Sequence, residues 1–146
     1  MVRQGISSVS FRNAKAEEII AAAREAGLEG MEWSADTHAP TGDFKAAEKL
    51  MMATLRGGLT ISAFGSFFRL IDGADHGPVL ETARRLQASS VRIWAGPAGS
   101  PVPADAARKL ADASGKLGIT VCIEPHPKSA VADYGDLFSL DRKSVV

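Results

Sequence analysis

The chain has 146 residues, of which 45% are hydrophobic and 23% charged, and its 17 basic and 17 acidic residues cancel to a net charge of zero. This composition fits about one globular domain and argues against a disordered protein, a nucleic-acid-binding arm or a membrane-surface protein. No apolar run is long enough to span a membrane and the first residues lack the apolar stretch of a signal peptide, so we expect a cytoplasmic protein.

Five short apolar runs recur every 25 to 30 residues, which is the length of one strand followed by one helix. They begin near Ile6, Met31, Ile61, Val91 and Ile119. The stretches between them repeat apolar residues with helical spacing, so four helices are predicted. Strict alternation of strand and helix predicts an α/β fold with a parallel sheet, because parallel neighbours need a crossover. The single cysteine, Cys122, falls in the fifth run and is expected to be a small buried thiol.

Glycine marks three of the four predicted helix ends. Gly27, Gly57-Gly58 and Gly118 each stand where a helix needs a residue that tolerates a positive φ. The third helix instead runs into Leu86-Gln87-Ala88, so its turn has to form without glycine.

Chemically useful side chains gather just after the predicted strands. In parallel α/β folds this carboxyl edge of the sheet is where ligands bind. The gathered residues are, in chain order, Arg12, Glu32, Trp33, Asp36, His38, Phe67, Arg69, Trp94, Glu124 and His126.

The carboxylates and histidines of this set each have two interpretations. Glu124 ends an apolar strand, where a carboxylate is costly unless paired, so it is either a metal ligand or acid/base group, or half of a structural ion pair. Glu32 lies inside a strand and either acts in the site or pairs with Arg92. His126, between two prolines, belongs to a continued strand or to a turn. His38 suits metal binding or proton transfer, or is an ordinary loop histidine.

The aromatic and basic residues are also open to two interpretations. Trp33, Phe67 and Trp94 either pack in the core or at its rim, or form a wall of the kind that suits sugar rings. Arg12 and Arg69 are candidates for holding a phosphate or a carboxylate.

The order and spacing of four segments resemble the sugar phosphate isomerase/epimerase family of xylose isomerase-like TIM barrels, which are relatives of the type 2 AP endonucleases. The segments are EGMEW at 29–33, AFGSFFR at 63–69, VRIWAG at 91–96 and GITVCIEPH at 118–126. The resemblance implies five βα-type units of a parallel (β/α)8 barrel, an incomplete arc of five strands with four helices. It predicts a partial barrel over residues 1–128 and a non-matching tail over residues 129–146.

The same resemblance implies a function. Members of the family abstract a proton beside a carbonyl of a sugar or sugar phosphate, usually with Mn²⁺, Mg²⁺, Co²⁺ or Zn²⁺. Glu124 matches the family glutamate that is commonly a metal ligand and can act in proton transfer. The matches at His38 and His126 imply contact with the substrate or, in the endonuclease branch, with metal, and those at Glu32, Trp33 and Trp94 imply pocket lining. Arg69, the candidate for holding a phosphate or carboxylate, is added to the substrate-binding residues.

The remaining family ligands come from strands six to eight, for which this chain has no matching segments. We therefore expect a truncated protein that is impaired alone and that self-associates or needs a complementing chain. The alternative is a compact flavodoxin-like binding or regulatory domain, which would differ in the order of its strands. A DNA-repair role like that of the endonuclease relatives is disfavoured by the zero net charge and the lack of a basic stripe.

Overall fold

A computed structural model describes residues 3–137 of the chain. In these residues strands and helices alternate, and a short 3₁₀ turn, Ser8–Phe11, follows the first strand. The elements are β1 (Gly5–Ser7), α1 (Ala16–Glu25), β2 (Gly30–Ser34), α2 (Phe44–Arg56), β3 (Thr60–Leu70), α3 (Gly77–Arg85), β4 (Ser90–Ala95), α4 (Ala104–Lys116) and β5 (Thr120–Ile123). The predicted alternation of five strands with four helices is confirmed. Over residues 3–137, no helix is both long enough and apolar enough to cross a membrane.

The five strands form one parallel sheet in the order β1-β2-β3-β4-β5. Because each strand pairs with its neighbour in sequence, right-handed crossovers place successive helices on the same face of the sheet. Helix α2 accordingly packs against both α1 and α3. In a flavodoxin-like domain the strand order reverses at a switch point, which places helices on both faces of the sheet. The consecutive order found here has no such reversal, so that alternative is wrong. The fold is the barrel arc expected from the sequence, and β1 and β5 do not pair with each other in the described part of the chain.

The hydrophobic core lies between the sheet and the helices. Successive residues of a strand point to opposite faces, and in β4 the buried residues Val91, Ile93 and Ala95 alternate with the half-buried Arg92 and Trp94. The core also includes Met31, Trp33, Phe64 and Leu110, none more than 1% exposed. We call the opposite side of the sheet, which bears Arg92 and Trp94, the inner face.

The helix ends follow the predicted pattern. Gly27, Gly58 and Gly118 adopt positive φ angles of 70°, 77° and 67°. At the third helix end Gln87 takes the same conformation with a φ of 53°. The turn without glycine therefore forms at the expense of a strained non-glycine residue.

The expectation that Cys122 is buried is wrong. Its thiol is exposed, because Cys122 pairs in register with Arg92 and so points to the inner face rather than to the core. An apolar run in the sequence does not reveal which of its residues face the helices.

Part of the predicted tail packs on the end of β4. The Ser129 hydroxyl donates to the Ala95 carbonyl oxygen at 2.8 Å, and Val131 is 1% exposed. Residues 138–146 of the tail lie outside the described part of the chain. The boundary at residue 128 stays a prediction.

Candidate functional site

An ion triad crosses the inner face of the sheet. The Arg92 guanidinium, from β4, donates through Nη2 and Nε to Glu32 Oε1 and Oε2 at 2.9 and 3.0 Å. Its Nη1 donates to Oε2 of Glu124, which follows β5. On the far side of the triad, the Ser7 hydroxyl donates to Glu32 Oε1 at 2.6 Å. One arginine therefore joins two carboxylates that are distant in sequence.

A glycine in β3 leaves room for the contact between Arg92 and Glu32. Strand β3 lies between β2 and β4, so Arg92 has to pass over it to meet Glu32. Gly65 pairs with Arg92 in register, and a Cβ atom there would lie 2.8 Å from Arg92 Nη2 and 3.2 Å from Glu32 Oε1. Any side chain at this position would occupy the space of the ion pair.

Trp94 is the centre of an aromatic cluster beside the triad. Its indole N–H donates to Glu124 Oε2 at 2.6 Å. The His126 ring stacks on Trp94 with centroids 4.3 Å apart and 17° between the planes. The Arg69 guanidinium carbon lies 4.6 Å from the Trp94 ring centroid, and Phe67 meets the indole edge-on at 5.7 Å.

A local irregularity of β3 brings Phe67 to this cluster. The pairing of β3 with β4 shifts between Gly65 and Arg69, and the intervening Ser66 hydroxyl donates to the Arg92 carbonyl oxygen at 2.8 Å. Phe67 has a φ of 54°, a conformation that costs a non-glycine residue about 1–2 kcal/mol. Such strain persists only where the surrounding structure maintains it, and strained residues cluster at functional sites.

The ion pair of Glu32 with Arg92 favours the charged forms of both side chains. Burial raises the pKa of Glu32, but the hydrogen bonds from Arg92 and Ser7 and the positive charge of Arg92 outweigh it, so the pKa lies below its ordinary value. The hydrogen bond to Glu32 raises the pKa of Arg92 further.

Four of the six residues predicted for the site lie together at the carboxyl edge of the sheet: Arg69, Trp94, Glu124 and His126. The structure does not bring Trp33 to them. Trp33 is fully buried on the helix-facing side, where its indole N–H donates to Thr54 Oγ1 at 2.9 Å. His38 is also separate: its Nε2 lies 3.0 Å from the Ala14 carbonyl oxygen, and its ring lies 5.6 Å from that of Trp33.

Arg92 is the main residue of the site that the sequence analysis did not place there. It was considered only as a partner of Glu32, and that ion pair is present. The available signal was its spacing from Trp94, since residues i and i+2 of a strand share a face. Arg12, the other candidate anion-binding residue, instead pairs with Asp36 at 2.6 Å.

A cavity of about 510 Å³ lies at the opposite, amino-terminal edge of the sheet. It is lined by Gln4, Gly5, Gly30, Thr60, Ser62 and Ser89, among others, and by none of the predicted site residues. Ligands of parallel α/β folds bind at the carboxyl edge, so we assign the site to the triad and the Trp94 cluster despite the size of this cavity.

The described residues do not fit a divalent metal at Glu124. Glu124 Oε2 already accepts hydrogen bonds from Arg92 and Trp94, so an ion bound there would meet the positive charge of the guanidinium. Within residues 3–137, no three His, Cys, Asp or Glu side chains form a group suited to a metal ion.

Comparison with known proteins shows the fold. No family model and no curated protein matches the sequence. A xylose isomerase domain-containing protein from Salmonella typhimurium LT2 matches with a TM-score of 0.75 and 17% identity, over 99% of this chain and 59% of that one. The IolI protein with a bound zinc atom matches with a TM-score of 0.78 and 13% identity, over 97% of this chain and 59% of that one.

A probable 3-DHS dehydratase, AsbF from Bacillus anthracis, matches with a TM-score of 0.71 and 16% identity, over 95% of this chain and 58% of that one. The chain thus spans about three fifths of the length of these three structures. The resemblance to xylose isomerase-like TIM barrels is confirmed at the level of the fold.

Proposed function

We propose that the carboxyl edge of this sheet is part of a site for a sugar or sugar phosphate, with isomerase or epimerase chemistry. The supporting observation is the way in which Glu124 is held. Arg92 and Trp94 both donate to its Oε2, and among residues 3–137 its Oε1 has no hydrogen-bond partner. A carboxylate oriented through one oxygen, with the other available, suits proton abstraction from a carbon beside a carbonyl.

The neighbouring side chains fit a polar ring-shaped ligand. Trp94 and His126 supply aromatic surface next to the carboxylate. The Lys128 backbone N–H donates to His126 Nδ1 at 3.1 Å, so the neutral ring has its proton on Nε2, where it can donate to a hydroxyl. Arg69, half-buried beside the indole, has the planar donor set that binds phosphate.

The family resemblance adds a divalent metal, Mn²⁺, Mg²⁺, Co²⁺ or Zn²⁺, with Glu124 as a ligand, and one structural neighbour is named with a bound zinc atom. We route no step through such an ion, because Arg92 would first have to leave Glu124. The same contact supports the proposal that these 146 residues are impaired as a catalyst on their own and act with a complementing chain.

Proton exchange into substrate tests this function directly. Ketopentoses, ketohexoses and their phosphates are incubated with the protein in D₂O, and deuterium at the carbon beside the carbonyl is followed by NMR. We expect slow exchange that Glu124→Gln abolishes. Glu48→Gln, which changes a half-buried glutamate of α2 that also pairs with an arginine, is the matched control and keeps the exchange.

Exchange that Glu124→Gln leaves unchanged would overturn the assignment of the base. Fast turnover by the isolated chain with one metal ion per molecule would overturn the proposed impairment. Because one neighbour is named as a dehydratase, loss of water from the substrates is monitored in the same spectra and would replace isomerisation as the reaction.

A further inference from the structure

We propose that Arg92 is the resident cation of this site and that it excludes divalent metal from Glu124, so that the described half of the site binds its ligand without a metal ion. This goes beyond the proposed function, and its test does not depend on turnover.

The first argument is the position of the guanidinium. Arg92 lies between two carboxylates, and the side chains of Arg92, Glu32 and Glu124 are 20%, 18% and 34% exposed. A cation placed between two partly buried carboxylates neutralises the negative charge that would otherwise attract a divalent ion. The metal would therefore compete with an ion pair already formed within the protein.

The second argument is that Arg92 is held in place by more than Glu124. Its guanidinium donates to both carboxylate oxygens of Glu32, and the Ser7 hydroxyl also donates to Glu32. Gly65 leaves the space through which the side chain passes. Moving Arg92 aside for a metal would break two charge-assisted hydrogen bonds to Glu32 and leave that carboxylate without its cation.

The third argument concerns Glu124 itself. Its Oε2 accepts from both Arg92 and Trp94, so this oxygen is fully occupied by donors that a metal cannot replace. A metal ion offers no hydrogen to accept and repels both N–H groups. The remaining oxygen, Oε1, lies on the same carboxylate, so a cation bound there would be repelled by the Arg92 guanidinium on Oε2.

Cobalt titration tests the inference on the purified chain. Co²⁺ binding is followed by its visible absorption and by calorimetry for the wild type, Glu124→Gln, Arg92→Lys, Arg92→Met and the double variant Arg92→Met/Glu124→Gln. We expect no Glu124-dependent binding to the wild type or to Arg92→Lys, which keeps the charge. Arg92→Met is expected to bind one equivalent at least about tenfold more tightly, and the double variant is expected to lose that site.

Arg85→Met is the matched control. Arg85 also lies between two glutamates, Glu48 and Glu81, but on the outer surface of α2 and α3. Like the wild type, Arg85→Met is expected to show no Glu124-dependent Co²⁺ binding. This separates the specific effect of Arg92 from a general loss of positive charge.

Uptake of one Co²⁺ by the wild type that Glu124→Gln abolishes would overturn the proposal, as would equal uptake by the wild type and a folded Arg92→Met. If Arg92→Met fails to fold, the wild type and Arg92→Lys decide the question. Glu124-dependent Co²⁺ binding to either of them contradicts the proposal, and its absence from both supports it.

Discussion

Trp94 donates its indole N–H to Oε2 of Glu124 at 2.6 Å, which links the last two strands of the sheet through side chains as well as through the backbone. The bond fixes the carboxylate against an aromatic ring that also stacks on His126. One residue thus positions the candidate base and forms the wall beside it.

Replacing Trp94 with Phe is expected to separate these two roles. The variant keeps an aromatic ring but loses the donor, so the unfolding free energy should fall by about 1 kcal/mol and Glu124-dependent deuterium exchange by roughly fivefold. Trp33→Phe is the control, because it removes the buried bond to Thr54 on the helix-facing side. It should lower stability in urea without changing exchange, and equal loss of exchange in both variants would contradict the assignment.

The depressed pKa of Glu32 predicts how stability depends on pH. Because Arg92 and Ser7 favour the charged form in the folded state, its stabilising effect is complete above the ordinary value of 4.5 and is lost as the pH falls through the lowered folded-state pKa. Glu32→Gln should cost about 1–3 kcal/mol near neutral pH and lose less stability on acidification than the wild type. Urea unfolding from about pH 7 to about pH 3 measures both. Parallel pH profiles for the two proteins would show that the pair contributes nothing.

Gly65→Ala is expected to disrupt the ion triad. The new Cβ would lie 2.8 Å from Arg92 Nη2, so either the guanidinium or the strand has to move, at a cost of about 1–3 kcal/mol. Gly115→Ala is the matched control: this glycine lies in α4, where the added Cβ would meet nothing within 4 Å beyond its chain neighbours and the backbone of its own helix, and the change should stabilise by about 0.5–1 kcal/mol. Thermal melts of the two variants should therefore shift in opposite directions. A Gly65→Ala melt at or above that of the wild type would mean that the triad tolerates a side chain there.

The strained end of α3 offers a stabilising substitution. Gln87 is exposed and has a φ of 53°, so Gln87→Gly should remove the steric cost of that conformation and stabilise by about 1 kcal/mol. Gln87→Ala keeps the Cβ and should give no such gain. Chemical denaturation compares the three proteins, and equal stability of the glycine and alanine variants would argue against strain at this residue.

The two outer strands predict association with a second copy of the chain. Neither β1 nor β5 has a strand on its outer edge within residues 3–137, and such edges offer unpaired N–H and C=O groups to another strand. Size-exclusion chromatography with light scattering should show a mass that rises with protein concentration. A constant monomer mass together with a cooperative melt would contradict this expectation.

The sequence was sufficient to predict the sheet and part of the site. The periodicity of apolar residues predicted the number and kind of the elements. The rule that ligands bind at the carboxyl ends of parallel strands predicted that Glu124, Trp94 and His126 lie together. Both predictions need only the spacing of residues along the chain. The faces of the strands were harder to predict. Cys122 lies on the face opposite to that expected, and Trp33 packs in the core, one of its two interpretations, rather than lining the pocket as the resemblance implied. A continuous apolar run does not define which residues face the helices.

Its spacing from Trp94 places Arg92 on the same face of β4, but the partner that Arg92 reaches across the sheet could not be predicted from spacing. Its contact with Glu32 crosses a whole strand and depends on the absent side chain of Gly65. Such a contact becomes visible only when the strand order and the register of three strands are known together.

The consecutive strand order also has a consequence for folding. Every strand pairs with the strand one unit away in the chain, so no pairing in the described sheet requires the closure of a long loop. The arc can therefore grow one unit at a time, each new strand docking on the edge left by the one before it. Closing a complete barrel requires a different kind of event, since its first and last strands meet only after the entire chain between them is in place.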